Sequence, residues 1–396
     1  MDESRIIDPW IRNHLIPRLV KGESNVEFII ERPSGNYFLS EPFFMNIISS
    51  KGEKKILVKI PSQNPEITAV VNYDAIFANE ILFYKALARG HSHYPECYLA
   101  EEDPVFKNVI VLEDVRPRGY VDSPDKVNVH LDYIVAGLKS IAKFHAHSYV
   151  IKEKEPEKFQ KCIQSLHDSR FKENPINEKF RNIINERVKR ATQKIRARND
   201  NSELTKKMCN ILDDAFVNVM IECVRQKEPL CTIIHGDCTI NNLLYRWQKK
   251  DKEDLQLEAM LIDFGLLMHS SPNIDIVTLL YMTCRREDIR DRARGLVEVY
   301  HSSLVECMKE LGIWNASKYS FENFWCDYRR CAIFGFVIAA FFRGMMTDFD
   351  REHNIVEVKS MSEWHDKDGG EEVSLLLVNM FDDLLAAGML QDFIEK

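Results

Sequence analysis

Two short apolar segments, residues 231–234 and 257–262, constrain the fold of this 396-residue chain more than any other feature. The first runs into His235-Gly236-Asp237 and the second into Asp263-Phe264-Gly265. Short apolar runs that end in turn-forming residues predict buried β-strands. The surrounding sequence is helical in pattern, so the chain is predicted to hold a small β-hairpin, with acidic loops at its ends, embedded in helices.

The composition excludes several classes of protein. The chain is 45% hydrophobic and 29% charged, as globular proteins are, and its formal net charge of −8 argues against a nucleic-acid binder. Ten cysteines show neither a CxxC pair nor zinc spacing, which indicates reduced thiols. The longest apolar run, Cys331 to Phe342, is too short to span a bilayer, and the acidic N-terminus resembles no targeting signal. The predicted location is the cytoplasm, with no membrane association.

The patterning divides the chain into two predicted lobes of an α+β, bilobal fold. Residues 1–113 are predicted to form a small β-rich lobe, and residues 114–396 a large, mostly helical lobe in which 150–228 is a helical insertion. Strands are predicted at 26–30, 43–49, 54–60 and 108–112, and helices at about 73–89, at 131–149 and over most of the chain from 276 onward.

The acidic loops carry the residue types that phosphoryl transfer requires. Asp237 and Asn242 share one loop, and Asp263 follows the next apolar segment. Carboxylate and amide oxygens suit Mg²⁺ bound against phosphate oxygens, so Asn242 and Asp263 are the predicted metal ligands. A separate carboxylate must meet the acceptor hydroxyl, and Asp237 is the predicted catalytic base. Each motif alone is a common turn sequence, but their combination is difficult to produce by chance.

A second set of residues, in the N-terminal lobe, is suited to holding a nucleotide. Lys59 lies inside the apolar strand Ile56 to Ile60, where a buried ammonium needs an anion. Glu80 of the following helix is the predicted partner, with the ATP phosphates as ligand. Gly35 lies in a turn that could cover the phosphates, and the backbone near Glu113 could meet adenine.

The acceptor is predicted to be a small molecule. Only residues 266–271 separate the Asp-Phe-Gly motif from Pro272, whereas protein kinases place a long activation segment there. Gly236 also stands where those kinases have the arginine that pairs with an activating phosphate. Both features favour a small acceptor and constitutive activity.

The chain resembles the superfamily shared by aminoglycoside phosphotransferases and choline kinases. Within it, the chain is most similar to the ecdysteroid kinase-like (CHK kinase-like) family of insects and other invertebrates. Two positions depart from that family: Gly265 stands where a glutamine is common, and Thr239 where a tryptophan is usual. The segments that carry the resemblance are GNYFLS, LVKIP, FANEILFYKAL, VLEDV, AKFHAHS, HGDCTINNLLYRW, LIDFGLLMHSSPNIDIVTLLY and VEVYHSSLVECMKELG.

The resemblance implies a protein-kinase-like fold and an ATP-dependent kinase for a hydroxyl of an ecdysteroid or another lipophilic compound, a steroid or xenobiotic. The same residues then have the roles described above, with ATP and Mg²⁺ as cofactors and no obligate protein partner. Two alternatives stay open: a kinase for a cationic alcohol such as choline or an aminoglycoside, and a non-catalytic pseudokinase. Asp275 is expected either to brace the catalytic loop or to cap a helix, and His145 and His147 have no assigned role in the chemistry.

Overall fold

The chain forms two compact units, Met1–Gly119 and Tyr120–Lys396. The structure, a computed structural model, describes residues 4–22, 25–32, 41–62, 72–88, 90–168, 170–171, 176–198, 202–249, 255–351 and 370–395. The first unit is built on a sheet and the second is mostly helical, so the α+β class predicted from the sequence is confirmed.

The first unit is an antiparallel five-stranded sheet with the strand order β1-β2-β3-β5-β4. All four strand pairings are antiparallel. The four strands predicted from the sequence are present, whereas β4 was not predicted. The strands are β1 (Glu27–Glu31), β2 (Glu41–Ser49), β3 (Gly52–Ile60), β4 (Cys97–Asp103) and β5 (Lys107–Glu113).

The two faces of β3 have different surroundings. Ile56, Val58 and Ile60 lie on one face and join the buried core of this unit, together with Trp10 of helix α1 (Ser4–Trp10). Helix α1 continues through a π-helical turn, Ile11–Leu15, into α2 (Ile16–Leu19). Because successive side chains of a strand point to opposite faces, Lys59 is directed away from this core.

Helix α3 (Tyr73–Leu82) supplies the partner of Lys59 and begins at a side-chain cap. The Asn72 side chain accepts a hydrogen bond from the backbone N–H of Ala75 at 3.2 Å, which satisfies one of the unpaired donors of the first turn. The helix continues as a π-helical turn, Phe83–Leu87, so the helix predicted near 73–89 is confirmed.

The second unit consists mainly of helices. They are α4 (Leu131–Lys154), α5 (Pro156–Ser165), α6 (Glu178–Ala197), α7 (Glu203–Leu212), α8 (Glu222–Val224), α9 (Asn273–Thr283), α10 (Arg286–Glu310), α11 (Phe321–Arg351), α12 (Gly370–Ala386) and α13 (Met389–Ile394), with a π-helical segment at Phe216–Ile221.

Helix α11 is the apolar centre of this unit. Its span Phe321–Thr347 is long and apolar enough to cross a membrane, but 72% of its most apolar window is buried inside the structure, as in a core helix. Gly335 lets the Tyr281 ring of α9 approach closely, since a Cβ at that position would lie 2.5 Å from the ring. Core packing of α11 therefore depends on a residue without a side chain.

Two small antiparallel ladders interrupt the helices and position the acidic loops. Strand β6 (Thr232–Ile234) pairs with β9 (Met268–Ser270), and β7 (Leu243–Lys249) pairs with β8 (Leu255–Leu261). The loop that contains Asp237 joins β6 to β7, and Asp263 lies two residues after the end of β8. The two apolar segments are strands, as predicted, but they do not pair with each other: β8 forms a hairpin with β7, and β6 pairs with β9, a strand that was not predicted.

Candidate active site

Gly236 is held in a conformation that only glycine adopts without strain. Its φ is +79°, and a Cβ at this position would lie 2.1 Å from the carbonyl oxygen of Leu266. The chain that follows the Asp-Phe-Gly motif therefore passes directly against residues 235–242, which are called the catalytic loop after the predicted role of Asp237. This contact explains why the residue before Asp237 is glycine.

Asp275 braces the catalytic loop from below. Its carboxylate accepts the backbone N–H groups of His235 at 2.8 Å and of Gly236 at 2.9 Å. It also contacts Nε2 of His145 at 3.1 Å, and His145 Nδ1 lies 2.8 Å from the Tyr300 hydroxyl. The residue at the N-cap of α9 is Pro272, without a side-chain cap, so Asp275 braces the loop rather than capping the helix.

The environment of Asp275 favours its ionised form. Burial alone would raise the pKa of this carboxyl, but the hydrogen bond and charge of His145 and the backbone N–H of Gly236 outweigh burial. The pKa of Asp275 is therefore lowered from its ordinary value. His145, for which no role was predicted, contributes to the site through its contact with this carboxylate and not through the chemistry itself.

His235 joins the two acidic segments. Its Nδ1 accepts the backbone N–H of Asp237 at 3.3 Å, so Nε2 carries the proton that is donated to the carbonyl of Ile262 at 2.9 Å. The Phe264 ring lies 5.1 Å from the His235 ring and is fully buried. The aromatic residue of the second motif thus packs on the histidine of the first.

Asp237, Asn242 and Asp263 are brought together at this point. The side-chain amide of Asn242 donates to the Asp237 backbone carbonyl at 2.8 Å and to its Oδ2 at 2.9 Å. The N–H of Ile262 donates to the backbone carbonyl of Asn242 at 3.1 Å, which places Asp263 beside the loop. Asp263 has a φ of +65°, a costly conformation for a residue other than glycine, and such strain clusters at functional sites.

The pKa of Asp237 is shifted by its burial and by the charges around it. Burial raises the pKa of Asp237, and the neighbouring Asp263 carboxylate raises it further, whereas the Arg170 guanidinium opposes both. A bound cation would relieve the repulsion between the two carboxylates.

The donor set fits Mg²⁺ rather than a metal held in an all-protein cage. Among the residues that the structure describes, no group of three or more His, Cys, Asp or Glu side chains could hold a metal ion. Both amide hydrogen bonds of Asn242 use its nitrogen, so its oxygen is the atom available to a cation. One amide oxygen and one carboxylate leave most coordination positions to phosphate and water, as Mg²⁺ prefers.

Lys59 and Glu80 form a buried ion pair in the first unit. Their side chains approach at 2.9 and 2.7 Å, and the two residues are only 7% and 1% exposed. Glu80 supplies the anion that a lysine inside an apolar strand requires. The pair fixes the position of the ammonium group on the α3 side of the sheet.

The two other residues predicted to bind nucleotide are less informative. Gly35 lies outside the described residues. The backbone N–H of Glu113 donates to the carbonyl of Glu96 at 2.8 Å, and its side chain accepts from Arg118 at 3.0 Å. The N–H of Asp114 donates to the carbonyl of Lys55. Because the N–H groups of Glu113 and Asp114 are both engaged, an N–H that donates to adenine at this strand end would belong to another residue.

Arg170 is a residue of the site that the sequence did not reveal. It lies in the segment between α5 and α6 and donates a hydrogen bond to the carbonyl of Gly236. The surrounding sequence is charged and has no motif, so no local pattern marks this arginine among its neighbours.

A buried lysine–glutamate pair on an antiparallel sheet, together with an Asp–Asn loop and an Asp-Phe-Gly segment in a helical unit, defines the kinase-like class of phosphotransferases. A sequence model of the ecdysteroid kinase-like family matches residues 44–313, about two thirds of the chain. The chain belongs to the ecdysteroid kinase-like family. It is a small-molecule kinase, a phosphotransferase with a hydroxyl acceptor.

Among solved structures, the chain is similar to a thermostable mutant of the aminoglycoside phosphotransferase APH(4)-Ia. The ternary complex of that mutant with ADP and hygromycin B has a TM-score of 0.34 and 11% identity, covering 84% of this chain and 98% of the other. The apo form has the same TM-score and identity and covers 94% and 98%. No curated protein matches the chain. At this similarity the structures carry no argument about residues, and the assignment rests on the family.

Proposed function

We propose that the protein transfers the γ-phosphate of ATP, with Mg²⁺, to a hydroxyl group of a lipophilic small molecule of the ecdysteroid type. The observation that carries this proposal is the convergence of Asp237, Asn242 and Asp263 around one point of the catalytic loop. In the proposed roles, Asp237 is the catalytic base, and Asn242 and Asp263 hold the metal. Lys59, fixed by Glu80, anchors the α- and β-phosphates.

The proposed mechanism depends on positioning more than on basicity. Phosphoryl transfer has a loose transition state, so Asp237 orients the acceptor hydroxyl in line with the γ-phosphate. The carboxylate takes the hydroxyl proton as the bond from the acceptor oxygen to the γ-phosphorus forms, while the bond from that phosphorus to the bridging oxygen of ATP breaks and ADP leaves. When bound, Mg²⁺ neutralises charge on the phosphate oxygens. The Asn242 amide holds the Asp237 carboxylate at a fixed angle, and the Asp275 brace holds the backbone on which both depend.

The surroundings of the catalytic loop favour an apolar acceptor. The side chain of Asn241 contacts the sulfur of Met346 at 3.5 Å, so the C-terminal part of α11 lies beside the loop. Phe342 and Met346 are partly exposed there. Exposed thioether and aromatic groups bind flat hydrocarbon surfaces well. A cationic alcohol would instead be favoured by carboxylates at these positions.

The cysteines support the cytoplasm as the location. All ten are free thiols in the structure. Persistent free thiols are typical of a reducing compartment.

A panel of candidate acceptors tests the proposal directly. The purified protein is incubated with ATP, Mg²⁺ and, separately, ecdysone, hydroxylated plant toxins, choline and hygromycin B, and products are examined by mass spectrometry for one added phosphoryl group. We expect phosphorylated steroid or toxin. Phosphorylated choline or aminoglycoside would establish the cationic-alcohol alternative, and nucleotide binding without turnover of any acceptor would establish a pseudokinase.

Substitution of the proposed base gives the sharper test. Asp237→Asn keeps the shape of the side chain but cannot accept the proton, so kcat should fall by at least about 100-fold while the unfolding curve is unchanged. Asp291→Asn, at an exposed position of α10, is the matched control and should leave kcat unaltered. Normal turnover in Asp237→Asn would remove the assignment.

A further inference from the structure

The backbone at Arg170 is held by neighbouring residues, although Arg170 lies between two helices. The Asp168 side chain accepts the backbone N–H groups of both Arg170 and Phe171 at 2.9 Å, which ties the backbone of the arginine to this carboxylate. Phe171 is buried, and its ring lies 6.2 Å from Phe216 and 6.0 Å from Phe334. Two hydrogen bonds and the buried Phe171 ring thus fix the position of the backbone from which the arginine side chain extends.

The guanidinium end of Arg170 lies against the catalytic loop. Its Nη2 donates to the carbonyl oxygen of Gly236, and its guanidinium carbon lies 5.0 Å from the centre of the Phe171 ring. Ion pairs are common for arginine, yet within the described ranges no carboxylate lies at salt-bridge distance from Arg170. Its most specific contact is therefore with the backbone of the loop.

The contacted carbonyl belongs to the peptide that leads into Asp237. The N–H of the same peptide donates to His235 Nδ1 at 3.3 Å, so this one peptide is held from both sides. Gly236, the residue before it, has the greatest backbone freedom of any residue type. Without the arginine, the carbonyl side of the peptide would lose this side-chain contact, and rotation of the peptide would redirect the Asp237 side chain.

We propose that Arg170 is a positioning residue for phosphoryl transfer, which fixes the Gly236–Asp237 peptide so that the Asp237 carboxylate faces the acceptor hydroxyl. This inference rests on the proposed function of Asp237. It makes Arg170, which lies between α5 and α6, part of the catalytic machinery, although this residue is not proposed to touch the substrate.

Kinetics of arginine variants test the proposal. A misplacement of about 1 Å can cost on the order of 100-fold in rate, so Arg170→Ala should lower kcat by about 10- to 100-fold with KM for ATP unchanged. Arg170→Lys, which retains one donor, should recover part of the loss. Activity is measured with the acceptor that turns over in the panel and, in parallel, as ATP hydrolysis with water as acceptor. Arg225→Ala, which removes an exposed arginine paired with Glu222, is the control.

Two further measurements separate positioning from a purely structural role. In the Asp237→Asn background, Arg170→Ala should cause no additional loss of kcat, because the two residues act through one group. Hydrogen exchange of peptides that cover 235–242 should accelerate in Arg170→Ala, while exchange elsewhere and the midpoint of thermal unfolding stay at their wild-type values.

Three outcomes would overturn the inference: wild-type kcat in Arg170→Ala, an additive loss in the double variant, or a general loss of stability that Arg170→Lys does not relieve. If the wild type turns over an acceptor, Asp237→Asn abolishes turnover and Arg170→Ala keeps the wild-type kcat, this inference alone fails. If the wild type turns over nothing, the proposed function fails, and unchanged exchange at 235–242 would refute the Arg170 contact independently.

Discussion

Replacement of Gly236 by alanine is the most sensitive test of the catalytic loop geometry. The substitution adds a single methyl group to a residue whose φ is +79°. That methyl group would lie 2.1 Å from the carbonyl oxygen of Leu266 and 3.1 Å from its carbonyl carbon. Both contacts are to backbone, which cannot rotate away as a flexible side chain can.

The expected cost has two parts. A non-glycine residue in the left-handed region costs roughly 1–2 kcal/mol. Relief of the clash requires a backbone shift of nearly 1 Å, and overpacking of this kind costs about 1–3 kcal/mol. The free energy of unfolding should therefore fall by about 2–5 kcal/mol, a large share of the roughly 5–15 kcal/mol that stabilises most proteins.

Urea denaturation followed by circular dichroism measures this change as a shift of the midpoint at constant slope. Gly295→Ala is the matched control because Gly295 is exposed inside helix α10, with nothing within 4 Å of the added Cβ. Alanine there should stabilise the protein by roughly 0.5–1 kcal/mol. Substitution of glycine by alanine should thus lower the free energy of unfolding at position 236 and raise it at position 295.

The reasoning would be refuted by a Gly236→Ala protein whose urea midpoint equals or exceeds that of the wild type. A protein of wild-type stability that has lost kcat would show that the loop moves without strain. This result would leave the proposed role of Asp237 intact, but it would contradict the claim that the Leu266 carbonyl leaves no room for a side chain at position 236.

Two further predictions concern buried charge. Lys59→Met leaves Glu80 buried without its partner and should cost about 3–5 kcal/mol, and Lys59→Met combined with Glu80→Leu should recover most of the loss, as measured by urea denaturation. Asp275→Asn leaves a backbone N–H of the loop without an acceptor and should cost about 1–3 kcal/mol near neutral pH. Because the pKa of Asp275 is lowered in the folded state, its stabilising effect is complete above the ordinary carboxyl pKa of about 4 and is lost as the pH falls through the lowered value. The difference between Asp275→Asn and wild type should therefore be equal at pH 7 and pH 5 and shrink below about pH 4.

A double variant at 59 and 80 that is no more stable than Lys59→Met would contradict the first of these predictions. For the second, a stability difference at Asp275 that grows on acidification would show that the carboxylate is destabilised, not stabilised, by its surroundings. His145→Phe offers a check of this reasoning. It removes one of the contacts that lower the pKa of Asp275, so this pKa should rise toward its ordinary value.

Local sequence pattern predicted the strands that are long and rich in β-branched residues, such as β3 and β5. It missed β4, whose last three residues are acidic and whose strand character comes from pairing with β5. It also missed β9, because three residues are too few to show a period. In both cases pairing with a neighbour, rather than intrinsic preference, determines the strand.

The same contrast between local sequence pattern and tertiary contact applies to the residues of the site. Asp237, Asn242 and Asp263 could be proposed as site residues because they lie in short motifs whose spacing is visible along the chain. Arg170 and His145 reach the same loop from helices and turns that are far away in sequence, so only the packing of the second unit brings them there. Lys59 was predictable for a different reason: a charge inside an apolar strand is anomalous unless it is paired.

The passage from Gly265 to β9 contains only Leu266 and Leu267. An extended chain spans at most about 3.6 Å per residue, so the three steps from Gly265 to Met268 reach no farther than about 11 Å. This segment, whose far end pairs with β6, is too short to form the long activation segment in which protein kinases accept a regulatory phosphate. We therefore expect the activity to be set without phosphorylation of this segment.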